Sequence, residues 1–379
     1  MTLRVGAFVL AAQFPGQGQG EALHRAVRAA EEAEAAGLDS VWLAEHHFVP
    51  YGVCPSAVTL AALLLGRTRR IGVGTAVSVL PNTHPVTLGE QTALLHLTSD
   101  GRFTLGVGRG GPWIDLEVFG GGLDAYEHGF PEALDLLLRW LREPRVGAGA
   151  GAGSGAGATG IGAESSGATA AEATDGAGDT TVPRYDFRAV DVVPRATERC
   201  ADPADHPPVV VACTSPGTVR LAARRGLPML LGMHCGNEEK AGMTRLWRRE
   251  ALASGLDPDV VAETATLHVS AGVAQVADTR REAVESLTKA MPGWLREGLG
   301  AHRTVDDRER NPRDPLAYTE LLCSLHPVGP PRLCADRLAE TAKVTGISRF
   351  ALLVEGTGDL AATEANVQRL GSEVLPLLP

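Results

Sequence analysis

Apolar positions along this chain fall into two rhythms that alternate many times. Short runs rich in Val, Ile and Leu recur, and between them lie longer stretches with apolar residues at helical spacing. "RVGAFVL" (4–10) reads as a strand. "GEALHRAVRAAEEAEAAG" (20–37) places Leu23, Val27 and Ala30 on one helical face and stops at Gly37. "SVWLA" (40–44) reads as the second strand and Pro55–Arg67 as a helix; "RIGVGTAV" (70–77) is the third strand, before a helix near 85–97. "RFTLGVG" (102–108) is the fourth, and the helix after it ends near Arg142.

Residues 147–181 break the rhythm, being almost wholly Gly, Ala, Ser and Thr. Such a stretch has too little apolar surface to order itself, so the expectation is a disordered insertion within one domain spanning 1–379. Beyond it "YDFRAVDVV" (185–193) reads as an extra hairpin strand. "PPVVVAC", "LPMLLG", "ATLHVSAGV" and "SRFALLV" then complete eight strands with helices between them, and a last helix is read over 360–377. That count predicts an α/β fold, a (β/α)₈ TIM barrel; a doubly wound sheet is the alternative.

Composition narrows the class. The 379 residues are 44% hydrophobic with a net charge of −10, which argues against a nucleic-acid partner. The longest cationic cluster is "RTRR" (67–70), read as a solvated helix end. No apolar run reaches the ~18 residues that span a bilayer, and the N-terminus lacks a signal-peptide pattern. The six cysteines (54, 200, 213, 235, 323 and 334) are scattered without metal spacing, so a reduced, cytoplasmic protein with no metal site is expected.

In a barrel of this kind chemistry sits at the carboxyl ends of the strands. The second strand ends in Glu45, His46 and His47, and an imidazole there titrates near neutrality and can move a proton. The alternative for a single His, capping a neighbouring carbonyl, loses ground when three ionisable residues share one strand end. The fourth strand ends in "LGVGRGG" (105–111), which formally matches G-x-G-x-x-G, but Pro112 follows and no amphipathic helix opens. It reads instead as a flexible turn that lets the backbone approach a ligand and aims Arg109 at an anion. Thr214, Ser215 and Thr218 follow the fifth strand at a helix N-terminus, which is either plain capping or an anion site.

"VWLAEHHFVPYG", "GVGTAVSVLPNTHPV", "LTSDGRFTLGVGRG" and "VFG" (118–120) resemble the bacterial luciferase-type flavin monooxygenases, as do "GLPMLLG", "HPVGPPRLCADRL" and "TGISRFALLVEG". The likeness, strongest to the luciferase α subunit, covers nearly all of the chain outside 145–182. It implies reduced FMN supplied by a separate NAD(P)H:flavin reductase. Molecular oxygen would react with it to give a C4a-hydroperoxyflavin, which oxygenates a small organic substrate. His46 matches the family's catalytic histidine, and Glu45 and His47 its supports. Ala76 and Val77 match a peptide, often cis, that lies against the flavin ring. Arg109 with Gly110, and Cys213, Thr214, Ser215 and Thr218, match the phosphate-binding segments. His128 stands near where the family has a second phosphate arginine.

The chain also departs from the α subunit. Gly108 replaces a reactive cysteine, Cys213–Thr214 a Glu-Ser pair, and Met233 an aromatic residue, which argues against a long-chain aldehyde substrate. A flavin-binding protein without turnover and an F420-dependent oxidoreductase are the competing readings. Segment 293–324, charged and proline-rich at 302–315, is expected to be a mobile lid. The small and apolar helices near 56–66 and 86–97 are expected to pair in a homodimer.

Overall fold

The computed structural model describes residues 2–149, 184–199, 206–308 and 313–379. The first half runs β1 (Arg4–Val9), α1 (Gln19–Ala35), β2 (Ser40–Leu43), α2 (Ala57–Arg67), β3 (Gly72–Thr75), β4 (Ser78–Val79), α3 (Pro85–Thr98) and β5 (Phe103–Gly108). Short α4 (Asp115–Val118) and α5 (Gly122–Asp124) lead through a π-helical turn, Ala125–Gly129, into α6 (Phe130–Arg142). An antiparallel ribbon comes next, β6 (Arg145–Ala148) with β7 (Phe187–Asp191).

The second half continues β8 (Val209–Cys213), α7 (Pro216–Arg224), β9 (Met229–Leu231), α8 (Asn237–Ala253), α9 (Pro258–Ala265) and β10 (Val269–Val273). Then come β11 (Gln275–Val276), α10 (Arg280–Gly300), α11 (Pro315–Leu325), β12 (Val328–Gly329), α12 (Pro331–Thr345), β13 (Arg349–Leu353) and α13 (Leu360–Arg369).

The main sheet runs β3-β2-β1-β13-β10-β9-β8-β5-β4, and a further β3–β5 pairing closes it. Every pairing in it is parallel, so eight strands form a ring and β4 extends the catalytic end of β5. The expected (β/α)₈ barrel is therefore the fold, and the doubly wound alternative falls. Side chains alternate along the strands with period two. Phe8, Trp42, Val210, Ala351 and Leu353 fill the interior, while Val5, Ala7, Val9, Val41 and Val211 pack outward against the helices.

Three expectations change. Gly147 and Ala148, placed in the insertion by composition, belong to β6, because β7 supplies the backbone partners their own sequence lacks; 150–181 lies outside the described residues. The last helix, read as 360–377, ends at Arg369, where π and 3₁₀ turns take over. The segment 293–324 is not one loop. Trp294 and Leu295 on α10, and Leu322 and Cys323 on α11, are buried, so helices bound it on both sides.

This same α10 packs on the loop that follows β2. Trp294 stacks on Tyr51 at 4.9 Å and 5°, and its Nε1 donates to the Tyr51 carbonyl at 3.0 Å. The loops after β1 and β13 are tied to α1 by a buried ion pair. Arg25 Nε lies 3.4 Å from Glu355 Oε2, and both side chains are essentially fully buried. Glu355 Oε1 accepts from the Leu10 amide at 2.6 Å, and Arg25 donates to the carbonyls of Ala12 and Gly358. Arg25→Met would leave Glu355 charged and uncompensated in the interior and should cost about 3–5 kcal/mol. Adding Glu355→Met should restore most of that loss; urea denaturation of wild type, both single variants and the double variant measures both effects.

Candidate active site

The opening of α2 fixes the end of β2. Ser56 caps that helix by accepting from the Thr59 amide at 3.2 Å. Glu45 then reaches across: its Oε2 accepts from the Ala57 amide at 3.2 Å and its Oε1 from the Val79 amide at 3.1 Å. The carboxylate thus clamps α2 to β4, and its role is to position. His47 Nε2 sits 3.5 Å from Glu45 Oε1 without hydrogen-bonding geometry.

His46 is carried on this clamp. Its backbone amide donates to the Cys54 carbonyl at 3.0 Å, and its ring meets Tyr51 edge-on at 5.0 Å. Burial, reinforced by His302 and His47, pushes the His46 imidazole down to about 3, so it is neutral at physiological pH. The sequence expectation of a group titrating near neutrality is corrected here, because desolvation dominates at this depth. His46 Nδ1 and His47 Nε2 are both buried with no hydrogen-bond partner, two unsatisfied polar atoms at one strand end.

A cavity of ≈ 270 Å³ brings Glu45, His46 and His47 together with Ala76, Val77 and Gly110. The Ala76–Val77 peptide is cis, as the sequence comparison with the flavin enzymes implied. Glycines in the fourth strand have a different purpose from the one expected. A Cβ on Gly106 would stand 1.9 Å from the Thr75 carbonyl oxygen, and one on Gly108 2.5 Å from Val77. They make room for the protein's own Thr75–Val77 turn. Gly110, at φ +70, makes the turn that comes after Arg109.

The register Val107↔Val211 places Arg109, two residues beyond, level with Cys213 and beside the start of α7. Its guanidinium lies 4.2 Å over the Tyr126 ring and has no carboxylate partner among the described residues. Ser215 and Thr218 form a capping box. Ser215 Oγ accepts from the Thr218 amide at 3.4 Å, while Thr214 lies exposed just before it. Cys213 is corrected as a side-chain contributor: the outward alternation buries it against α7, and burial pushes its thiol up to about 12. His128 is far more exposed than Tyr126, and it is Tyr126 that faces Arg109.

Sequence reading missed the far wall. Trp113, Asp115 and His302 line the same cavity. Asp115 Oδ2 accepts from Asn82 Nδ2 at 2.8 Å, and His302 packs on Trp113 at 4.6 Å. An antiparallel bridge between Trp113 and Thr304 holds them, with the Ile114 amide donating to Arg303 O and the Val305 amide to Pro112 O, each at 2.9 Å. Only the proximity of an aromatic residue and a carboxylate to the Arg109 turn could have flagged Trp113 and Asp115. Nothing local marks His302.

A neutral buried histidine on a helix-anchored strand end, a cis peptide and an arginine at the end of the neighbouring strand now stand at one end of the barrel. The family model of the luciferase-like monooxygenases matches residues 3–349. The chain belongs to the luciferase-like monooxygenases. Its relatives include the alkanal monooxygenase alpha chain of the Kryptophanaron alfredi symbiont, 26% identical with 99% of this chain and 98% of that one covered. Similar solved structures include the monooxygenase RslO1 from Streptomyces bottropensis, with a TM-score of 0.76 at 21% identity over 99% of each chain. The oxygenating constituent of 3,6-diketocamphane monooxygenase from Pseudomonas putida, in complex with FMN, gives 0.69 at 18% over 100% and 99%. An F420-dependent secondary alcohol dehydrogenase gives 0.67 at 18% over 100% of both chains.

This luciferase-like monooxygenase is thus a flavin-dependent oxygenating enzyme by family. Among its described residues no helix is long and apolar enough to cross a membrane.

Three buried imidazoles should dominate its acid response. His46, His268 and His326 are each pushed down by burial to about 3, below the ordinary 6.5. Between those values the unfolded chain binds more protons than the native one, so stability is complete above about pH 6.5 and falls as pH drops toward 3. The Tm should decline through that window, and His268→Gln should flatten the decline. A flat Tm from pH 7 to 4 is the contrary result.

Proposed function

We propose that this chain is the oxygenating component of a two-component, FMNH₂-dependent monooxygenase acting on a small organic substrate. The observation that carries the reading is one cavity lined by the cis Ala76–Val77 peptide, a neutral His46 with an unpartnered nitrogen, and the turn that bears Arg109. These residues suit a planar cofactor with an anionic tail. Arg109, with Tyr126 behind it, would hold a phosphate against the first amides of α7, where the helix dipole also favours negative charge. Ala76 and Val77 would lie along the ring. The FMN complex of the diketocamphane enzyme supports the choice of flavin.

Bound reduced flavin would supply the electrons that activate O₂. The chain's own contribution is then to exclude water and to manage a proton. A neutral imidazole beside Glu45's clamp can accept a hydrogen bond at the reacting end, and the Trp113–His302 wall shields that end from solvent. Loop 301–308 serves as the closing part of the mouth, in place of a lid spanning 293–324. The FMNH₂ would come from a separate reductase.

Anaerobic titration distinguishes the cofactors. Tight binding of FMNH₂ and weak binding of reduced F420 is expected, and the reverse would assign the chain to hydride chemistry. His46→Ala should slow product formation about 10²–10⁴-fold with binding intact. Arg109→Ala should act on affinity, weakening FMNH₂ about 10- to 150-fold for a lost charged hydrogen bond.

The same reading includes a homodimer through α2 and α3, whose outer faces display Leu63 and Leu94 at 48% and 54% exposure. Light scattering at micromolar concentration should give twice the chain mass, and Leu63→Lys with Leu94→Lys should halve it.

A further inference from the structure

Outside the cavity that holds His46 lies a larger one of ≈ 600 Å³, lined by Phe48, Ile114, Val118, Gly300, Ala301 and Arg303. Three large apolar side chains turn outward at this rim: Phe48 and Val118 are each 59% exposed and Phe119 46%. Phe48 and Phe119 lie nearly parallel, with centroids 6.0 Å apart and planes at 28°, and His47 meets Phe119 edge-on at 4.8 Å. Folding does not account for them, because water contacts on such rings contribute nothing to the core.

The backbone makes the same point more sharply. Phe48 sits at φ +62, in the left-handed region that a bulky residue occupies only under strain. A glycine would relieve the strain and remove the exposed ring. The chain holds a phenyl group there at a cost to its own stability, which marks the ring as a contact for something else.

Among the described residues the cavity's other wall carries one charge, Arg303, whose guanidinium has no ion-pair partner among them. Its planar fork matches a carboxylate better than any point charge would. Two further cavities adjoin this one on the side of His46. Phe48 also lines a second cavity of ≈ 430 Å³ that reaches His46, and His46 borders the inner cavity.

We propose that the outer cavity is the substrate-recognition site, and that the substrate is an apolar ring compound bearing a carboxylate. The ring face stacks on Phe48, which Phe119 backs, with Ile114 and Val118 beside it, and the carboxylate meets Arg303. The unsubstituted end of the molecule then points past Phe48 toward His46. This rests on the chain being an oxygenating enzyme of the kind proposed above, but the recognition step needs no flavin.

The test uses 2-naphthoate as probe and neutral 2-naphthamide as control, with binding to the full chain read by calorimetry. Wild type should prefer the naphthoate about ten-fold, and Arg303→Gln should abolish the preference while leaving naphthamide binding unchanged. That size is the low end of a charged hydrogen bond, as befits an exposed guanidinium. Phe48→Gly should weaken both probes and leave Tm unchanged or raised. A naphthoate affinity indifferent to Arg303→Gln, or a Phe48→Gly chain with lowered Tm and unaltered affinity, would overturn the proposal. FMNH₂ titration of the same proteins separates the two readings. Flavin binding without the naphthoate preference removes only the substrate class. The preference without flavin binding removes the cofactor and leaves the anionic ring site standing.

Discussion

A parallel barrel must join its first strand to its last, and here that seam depends on one buried pair, Arg25 with Glu355. Register alone pairs Arg4 with Arg349 and Phe8 with Leu353, which aligns the strands but leaves the loops beyond them unorganised. Glu355 collects the amides of Leu10 and Ala12, and Arg25 collects the carbonyls of Ala12 and Gly358. The loops after β1 and β13 are therefore fixed on the catalytic face. Phe14, in the first of those loops, then stacks on Trp294 at 5.4 Å, and Trp294 on Tyr51. Tyr51 sets the edge of His46. The position of the proposed catalytic imidazole is in this sense a consequence of how the barrel closes.

The site combines satisfied and unpartnered groups in a pattern that chemistry explains. Glu45 has both oxygens on backbone amides, Ser215 and Thr218 satisfy each other, and Asp115 takes the Asn82 amide. Among the described residues, His46 Nδ1, His47 Nε2, Ser78 Oγ and Asn82 Oδ1 are buried there without hydrogen-bond partners, and Arg109 has no carboxylate partner. Unpartnered buried atoms also occur elsewhere, at Trp140 Nε1, His268 Nε2 and Gln275 Oε1, but at the end of β2 two imidazole nitrogens stand side by side where a ligand would complete them. The same economy is relaxed at the rim, where Phe48 is strained and exposed. Stability and recognition make opposite demands at that position.

The alternation of short and long apolar periods was enough to place eight strands and the helices between them. Periodicity is a local property that survives without knowledge of neighbours. The candidate chemistry was legible for a related reason. An apolar strand that stops in Glu45-His46-His47, or in Arg109 between glycines, exposes ionisable groups at one end of a barrel, and those segments carried the family likeness as well. The helix signals Gly37 and Ser215 were equally local, since a cap is satisfied within a few residues.

Tertiary structure alone decided whatever depends on partners distant in the chain. Arg25 meets Glu355 across 330 positions, and His302 reaches Trp113 only because an antiparallel bridge brings Thr304 there. Depth is likewise a property of the whole. It turned His46 from a group expected to titrate near neutrality into a neutral one, and Cys213 from a pocket residue into a core one. Gly106 and Gly108 looked like room for a ligand, yet they accommodate Thr75 and Val77 of the protein itself. Sequence names the groups that can do chemistry; the solvent they lose and the neighbours they gain are set only when the barrel closes.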